Sequence, residues 1–159
     1  MSGARTEPVA AVRTRRAEPG DADAVAALFD GYRTFYGQPS DLDGARRFIG
    51  ARLAAGDSTV LLAEADGEVI GFAQLYPSFT SVGMTRIWVL NDLFVAPAHR
   101  GIGAGRTLLE AAAAFGCESG ARRLTLSTQV TNTPAQAAYE AGGWVRDHEY
   151  YVYNLQLTS

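Results

Sequence analysis

Arg100-Gly101-Ile102-Gly103-Ala104-Gly105-Arg106 lies between a strand pattern and a helix pattern, and that position decides how the chain is read. Upstream, Thr85 to Val95 is apolar on both faces, with Ile87, Val89 and Leu93 on one and Trp88, Leu90 and Phe94 on the other. A strand of that kind belongs in the middle of a covered sheet. Asn91 and Asp92 interrupt it, which marks them as candidates for a bulge or for function, since buried polar groups need partners. Downstream, Leu108, Leu109, Ala112 and Phe115 recur at helical spacing. A helix N-terminus leaves its first backbone N–H groups unpaired and carries a partial positive charge of about half a unit. Glycines at 101, 103 and 105 let a diphosphate approach those donors, and Arg100 and Arg106 offer forked bonds to phosphate. Other readings compete. The glycines are also explained by a tight turn alone. A dinucleotide fingerprint wants glycine where Arg106 stands and normally follows the first strand of its unit. A Walker A loop requires a lysine.

The chain contains none: all 14 of its basic residues are arginine. This excludes Schiff-base chemistry and a catalytic lysine as well as the Walker A loop. The net charge of −3 disfavours nonspecific nucleic-acid binding, which rests on excess basic charge. One cysteine, Cys117, precludes an intrachain disulfide and fits a reducing compartment. With only His99 and His148 beside it, a zinc site is not expected. No run approaches the ~18 apolar residues of a membrane span, and no secretory signal opens the chain. The 159 residues suit one domain. We expect a flexible tail over 1–11, a single domain over 12–159, and a cytoplasmic location.

The other elements follow from local patterns. Val12 to Ala17 alternates as a short strand. Pro19-Gly20-Asp21 starts a helix with the stripe Val25, Leu28, Phe29 and Tyr32, which Gly37 and Pro39 end. Ser40 and Asp43 resemble a capping box for a second helix. Thr59 to Ala65 and Val69 to Tyr76 read as strands joined by Asp66-Gly67, a two-residue hairpin signal. Ser78 to Gly83 reads as a polar loop, and Arg123 to Val130 as a further strand. Thr133-Pro134, with Gln136, suggests the cap of a last helix that Gly142-Gly143 stops. Trp144 to Arg146 and Glu149 to Leu157 read as closing strands. Hairpins mixed with crossovers imply an α/β fold with a mixed sheet covered by helices.

At this point the sequence resembles the GCN5-related N-acetyltransferase (GNAT) family. Arg100-Gly101-Ile102-Gly103-Ala104-Gly105 fits that family's Q/R-x-x-G-x-G/A element between its fourth strand and third helix. Asn132, Ala135, Tyr139 and Gly143-Trp144 fit a second element, and the order of strands and helices agrees from Val12 to Leu157. The pattern is closest to the polyamine and diamine acetyltransferase branch. The resemblance implies a mostly antiparallel mixed sheet of about seven strands flanked by about four helices, splayed between strands four and five.

It also implies acetyl-CoA as donor, no metal, a primary amine as acceptor, and a homodimer as a family expectation. Leu93, Phe94 and Val95 would pair with the pantetheine arm as if it were an added strand. Arg100 to Arg106, including Ile102 and Ala104, would hold the pyrophosphate. Asn132 would contact the pantetheine or acetyl region. Tyr139, a phenol protonated at neutral pH, would protonate the departing sulfur. An alkyl ammonium of pKa ~10.4 costs about 4–5 kcal/mol to deprotonate at pH 7, so a base or water chain is wanted. Asp92 is the candidate. Leu90-Asn91-Asp92-Leu93 is similar to a segment reading Leu-Glu-Asp in the polyamine branch; Asn91 replaces that glutamate and cannot act as a base. Tyr32, Phe35, Tyr36 and the loop from Tyr76 to Gly83 fall where the family builds its acceptor pocket. Tyr36 and Tyr76, with Asn91 and Asp92, are the substrate-binding candidates, the tyrosines through cation–π contact. The acceptor expected is a small polar amine; the alternatives are a protein or peptide amine, and a non-catalytic acetyl-CoA-binding module.

Overall fold

The strand from Thr59 to Ala65 (β2) and the strand from Glu68 to Thr80 (β3) form the hairpin that organises the sheet. Asp66 and Gly67 join them with φ of 51° and 75°, the left-handed pair that matches the twist of a two-residue hairpin. The computed structural model describes residues 11–158. The expected tail therefore lies, but for Ala11, outside the described residues. In chain order the remaining elements are β1 (Arg13–Arg16), α1 (Ala22–Phe35), α2 (Leu42–Ala55), β4 (Thr85–Val95), α3 (Ala104–Glu118), β5 (Leu124–Thr125) and α4 (Thr133–Ala141). The sheet order is β1-β2-β3-β4-β5; the first four strands run antiparallel, and β5 lies parallel to β4.

Helices α1 and α2 cover one face of this sheet. Val25, Leu28 and Ile49 pack there with Val60, Leu62, Phe72 and Phe94. Each such side chain, buried from water, contributes roughly 1.5–3 kcal/mol. Helix α3 turns its own buried side, Leu108, Leu109 and Ala112, toward β2, β3 and β4. Gly71 of β3 is glycine because of close approach: a Cβ there would sit 2.9 Å from the Phe94 carbonyl oxygen.

Several local expectations shift by a residue. Asp41, not Ser40, caps α2 by accepting from the Gly44 N–H, while Ser40 donates to Asp30. Asn132, not Thr133, caps α4, and the Gln136 amide donates to the Gln129 and Val130 carbonyls instead of closing a capping box. The polar loop shrinks to residues 81–84, because β3 continues through Pro77 to Thr80. Pairing with β2 ends at Leu75, so Pro77 sits where β3 has only one ladder neighbour, a position proline tolerates.

The larger correction concerns the C-terminal strands. Among the described residues the sheet has five strands, not about seven: β5 is confined to Leu124–Thr125, and no strand forms over 144–146 or 149–157. A period-two pattern says which face a strand would bury. A strand exists only where its N–H and C=O groups meet a ladder partner. Residues 149–157 have no such partner among the described residues, and Tyr151 and Tyr153 are about 90% exposed. The chain divides into two compact units, one ending at Ser127 and the other beginning at Thr128.

One surface network fixes β1 to the turn before α1. Arg15 reaches both carboxylate oxygens of Asp21 at 2.8 Å and Glu64 at 2.8 Å. The Arg15 guanidinium, with the Glu18 N–H, holds the Asp21 carboxyl down to about 2. A depressed carboxylate stabilises the fold above its unfolded value of 3.8, and that stabilisation fades as pH falls toward about 2. Asp21→Asn should therefore lower the melting temperature by about 2–4 °C at pH 7, the effect of ~1 kcal/mol at a solvent-open pair. The deficit should close in melts run near pH 2.

Candidate active site

Strand β4 changes its company halfway along. Its ladder with β5 holds only Trp88 against Leu124 and Val89 against Thr125. On the β3 side, Gln74 pairs with Asp92 and Leu75 with Leu90, so Asn91 is the extra residue of a bulge. A bulge bends its strand and ends pairing. From Leu90 to Val95 the side of β4 away from β3 has no strand neighbour among the described residues, the splay expected between strands four and five. Leu93 and Val95 are half-buried there, and Phe94 points into the core under α1.

The bulge also sets Asp92 on the α1 side of the sheet. Asp92 is 4% exposed, and Asn91 beside it is exposed. The Gln74 amide donates to Asp92 Oδ2 at 2.7 Å, and Asn91 Nδ2 donates to Oδ1 at 3.1 Å. Ser58 Oγ in turn donates to Gln74 Oε1 at 2.9 Å. Burial pushes the Asp92 carboxyl above the usual carboxylate range, against the pull of hydrogen bonds from Gln74, Tyr32 and Asn91. Tyr76, half-buried on β3, has its phenol pushed up by burial and by the Asp92 charge.

Aromatic side chains continue the site along α1. The Tyr32 hydroxyl donates to the Asn91 carbonyl at 3.4 Å, and its ring meets Tyr36 edge-on at 5.0 Å. Tyr36, at the C-terminal end of α1, is partly exposed, as is Phe35 next to it. Tyr36 thus meets Tyr32, whose hydroxyl reaches the residue beside Asp92, and the Asp92 charge acts on Tyr76. Gln74 and Ser58 were not expected. The signal for Gln74 was present, a polar residue in the apolar run Ile70-Gly71-Phe72-Ala73-Gln74-Leu75, as with Asn91 and Asp92.

The glycine-rich turn follows β4 through a short 3-10 turn, Pro97–His99. Gly101 and Gly103 hold φ of 83° and 85°, the left-handed region that side chains resist. Gly103 caps α3, whose bonding begins with Thr107 N–H to the Gly103 carbonyl. The N–H groups of the first turn have no acceptor within the helix. A Cβ built on Gly101 or Gly103 would meet nothing within 4 Å, so the turn is open at both positions. The backbone of this turn fits a diphosphate. Ile102 and Gly105 are half-buried and Ala104 is buried, anchoring the turn to the domain.

The two arginines point elsewhere. Arg100 Nε donates to the Val95 carbonyl at 3.1 Å, and its guanidinium lies 5.4 Å over the Phe94 ring and 5.6 Å over Phe35. Arg106 pairs with Glu110 one turn on at 3.0 Å, fully in solvent. Within the second unit, Asn132 Oδ1 accepts from the Ala135 N–H at 3.3 Å as the cap of α4. Tyr139 is two turns further along and half-buried, its ring 6.1 Å from Trp144. Among the described residues no group of three or more His, Cys, Asp or Glu is arranged to hold a metal ion, and no helix is long and apolar enough to cross a membrane.

Comparison with known proteins bears on this arrangement directly. The family model described as the acetyltransferase (GNAT) family matches residues 25–144. An uncharacterized N-acetyltransferase of Bacillus subtilis, YhfO, is 49% identical over 143 residues, which cover 90% of this chain and 96% of that protein. The aminoglycoside N(6')-acetyltransferase type 1 of Stenotrophomonas maltophilia is 31% identical, covering 90% of this chain and 92% of its own. The crystal structure of a probable acetyltransferase superposes with a TM-score of 0.87 at 39% identity, covering 92% of this chain and 99% of that one. Turn, splayed sheet and comparisons agree: the chain belongs to the acetyltransferase (GNAT) family and is an acetyl-CoA-dependent N-acetyltransferase.

Proposed function

We propose that this enzyme acetylates the primary amine of a small polar acceptor by direct attack, with donor and acceptor bound together. The buried Asp92, set by the bulge of β4 beside an aromatic rim, carries the reading. A carboxylate beside Tyr32, with Tyr36 against that ring and its charge acting on Tyr76, suits a cationic amine, through charge and through ring faces. The similarity to an aminoglycoside acetyltransferase over nine-tenths of the chain supports a polyamine-like, hydrophilic acceptor.

Acetyl-CoA supplies a thioester whose carbonyl carbon accepts the amine and whose sulfur leaves. The backbone of Leu93, Phe94 and Val95 binds the pantetheine arm along the open edge of β4. A backbone N–H near Val95 stabilises the charge that develops on the carbonyl oxygen. The turn from Arg100 to Arg106 holds the diphosphate through its N–H groups. Arg106 exchanges Glu110 for phosphate at small cost, because a solvent-exposed ion pair is worth little. Arg100 keeps the turn against β4. Asn132 contacts the pantetheine or acetyl region. Asp92 takes the first proton that the ammonium must lose; Tyr139 gives its phenolic proton to the sulfur as the C–S bond breaks, and the second proton shed by the nitrogen as the amide forms restores the phenol through solvent.

The deciding experiment is a calorimetric titration with acetyl-CoA followed by CoA-release assays on diamines, aminoglycosides, amino acids and peptides. Turnover on the small amines is expected. Turnover on peptides alone would replace this acceptor class, and binding without turnover on any amine would identify a binding module. Tyr139→Phe should lower kcat roughly tenfold with unchanged acetyl-CoA affinity. The effect sits below the usual range for general acids because a thiol of pKa ~8.5 already leaves well as the thiolate. An unaltered kcat would remove Tyr139 from that role.

A further inference from the structure

We infer that Gln74, its amide oriented by Ser58, is the positioning residue that keeps Asp92 ionised and aimed for the acceptor amine. This rests on the proposed role of Asp92 and adds two residues that touch neither substrate. Gln74 is fully buried in the middle of β3, and Ser58 lies buried just before β2. Two adjacent buried polar side chains are expensive to keep in a sheet core unless each is satisfied. Here they form a one-directional chain: Ser58 Oγ donates to Gln74 Oε1 at 2.9 Å, and Gln74 Nε2 donates to Asp92 Oδ2 at 2.7 Å.

Direction is the substance of the argument. An amide presents an oxygen or an N–H group depending on which way it faces. With its oxygen accepting from the Ser58 hydroxyl, the amide presents its N–H group to Asp92, the arrangement that suits an acceptor-only, ionised carboxylate. Asn91 adds a second donor at 3.1 Å on the other oxygen. Gln74 cannot itself pass a proton on at neutral pH, so it holds the charge without draining it. Asp92 stays ready to accept from the amine side, where Tyr32 and the exposed Asn91 lie.

Two titratable side chains interact with this carboxylate. Tyr32 of α1 and Tyr76 of β3 are phenols, and Tyr76 is shifted upward. Arg52, near the end of α2, and Asp57 are bound to each other at 2.8 Å and act on Tyr76. The rise of kcat/KM with pH on the acid side therefore belongs to Asp92.

The test is the pH profile of kcat/KM for CoA release, with the best amine of the panel, in wild type, Gln74→Met, Ser58→Ala, Ser58→Thr and Asp92→Asn. Gln74→Met fills the same space without the donor and should move the acid-side rise up by about one to two pH units, the worth of a hydrogen bond to a charged group. Ser58→Ala should move it in the same direction by less, and Ser58→Thr, which keeps the hydroxyl, should restore the wild-type profile. A rise that stays in place in Gln74→Met and Ser58→Ala overturns the inference, whatever happens to kcat. If Gln74→Met folds poorly, the Ser58 pair decides alone. An acid-side rise that survives in Asp92→Asn overturns the role of Asp92 itself, so the two failures are distinguishable.

Discussion

Gly103→Val should weaken acetyl-CoA binding about a hundredfold or more while costing the fold only a few degrees of melting temperature. Two separate properties of Gly103 make this so. Its φ of 85° is unfavourable for any side chain, a strain of about 1–2 kcal/mol. Its Cβ position meets no atom within 4 Å, so a valine there strikes nothing in the fold and, in the proposed site, takes up room the diphosphate needs. Losing two charge-assisted bonds of ~1.5–3 kcal/mol each exceeds the ~2.7 kcal/mol that a hundredfold change in affinity requires. Gly120 is the matched control, since it also has a left-handed φ, 73°, with nothing within 4 Å of its Cβ position. Gly120→Val should show a similar thermal loss and unchanged calorimetric affinity. Equal affinity in both variants would remove the turn from the binding site.

The reach of the sequence is clearest where chemistry is local. The bounds of β2 and β4 and the Asp66-Gly67 hairpin agree with the structure because periodicity and turn residues specify them over a few positions. The bulge was legible in Asn91-Asp92, two polar residues set in a buried strand. Caps moved by one residue where two capping side chains stand side by side, Ser40 with Asp41 and Asn132 with Thr133; the backbone angle at each decides which one reaches an N–H. The C-terminal strands were not legible at all. Glu149 to Leu157 alternates as a strand should, but pairing depends on a neighbour that no local pattern names. The Gln74–Ser58 link was hidden for a related reason: it joins residues 16 apart in sequence that the sheet register alone brings together.

In the proposed site the bulge lets one strand serve two substrates. By ending the β4–β5 ladder at Val89 it opens a backbone edge over Leu90 to Val95. By inserting Asn91 it fixes the register in which Asp92 meets Gln74 on the α1 face. Arg100 then ties the following turn back to that strand through the Val95 carbonyl and the Phe94 ring, with Phe35 of α1 on its other side. The proposed donor edge, diphosphate turn and aromatic rim therefore meet at one strand end.

Asp92→Asn should move activity and stability in opposite directions. In its proposed role as base for the acceptor, Asp92 is worth about a hundredfold or more in kcat at neutral pH, and an amide cannot replace it there. The same carboxyl is a liability to the fold. Burial raises it above its ordinary range, so the folded state favours the protonated form. Its stability advantage is complete in acid, below the unfolded value of 3.8, and is lost as pH rises through the folded value. An asparagine of equal size keeps an oxygen for the Gln74 N–H and has no charge to desolvate. Its melting temperature should therefore exceed that of wild type at pH 8, with the gap shrinking as the buffer approaches pH 4. A variant that is inactive and also less stable at pH 8 would mean that the network around Asp92 more than offsets its burial. The carboxylate would then be a structural keystone before it is a base.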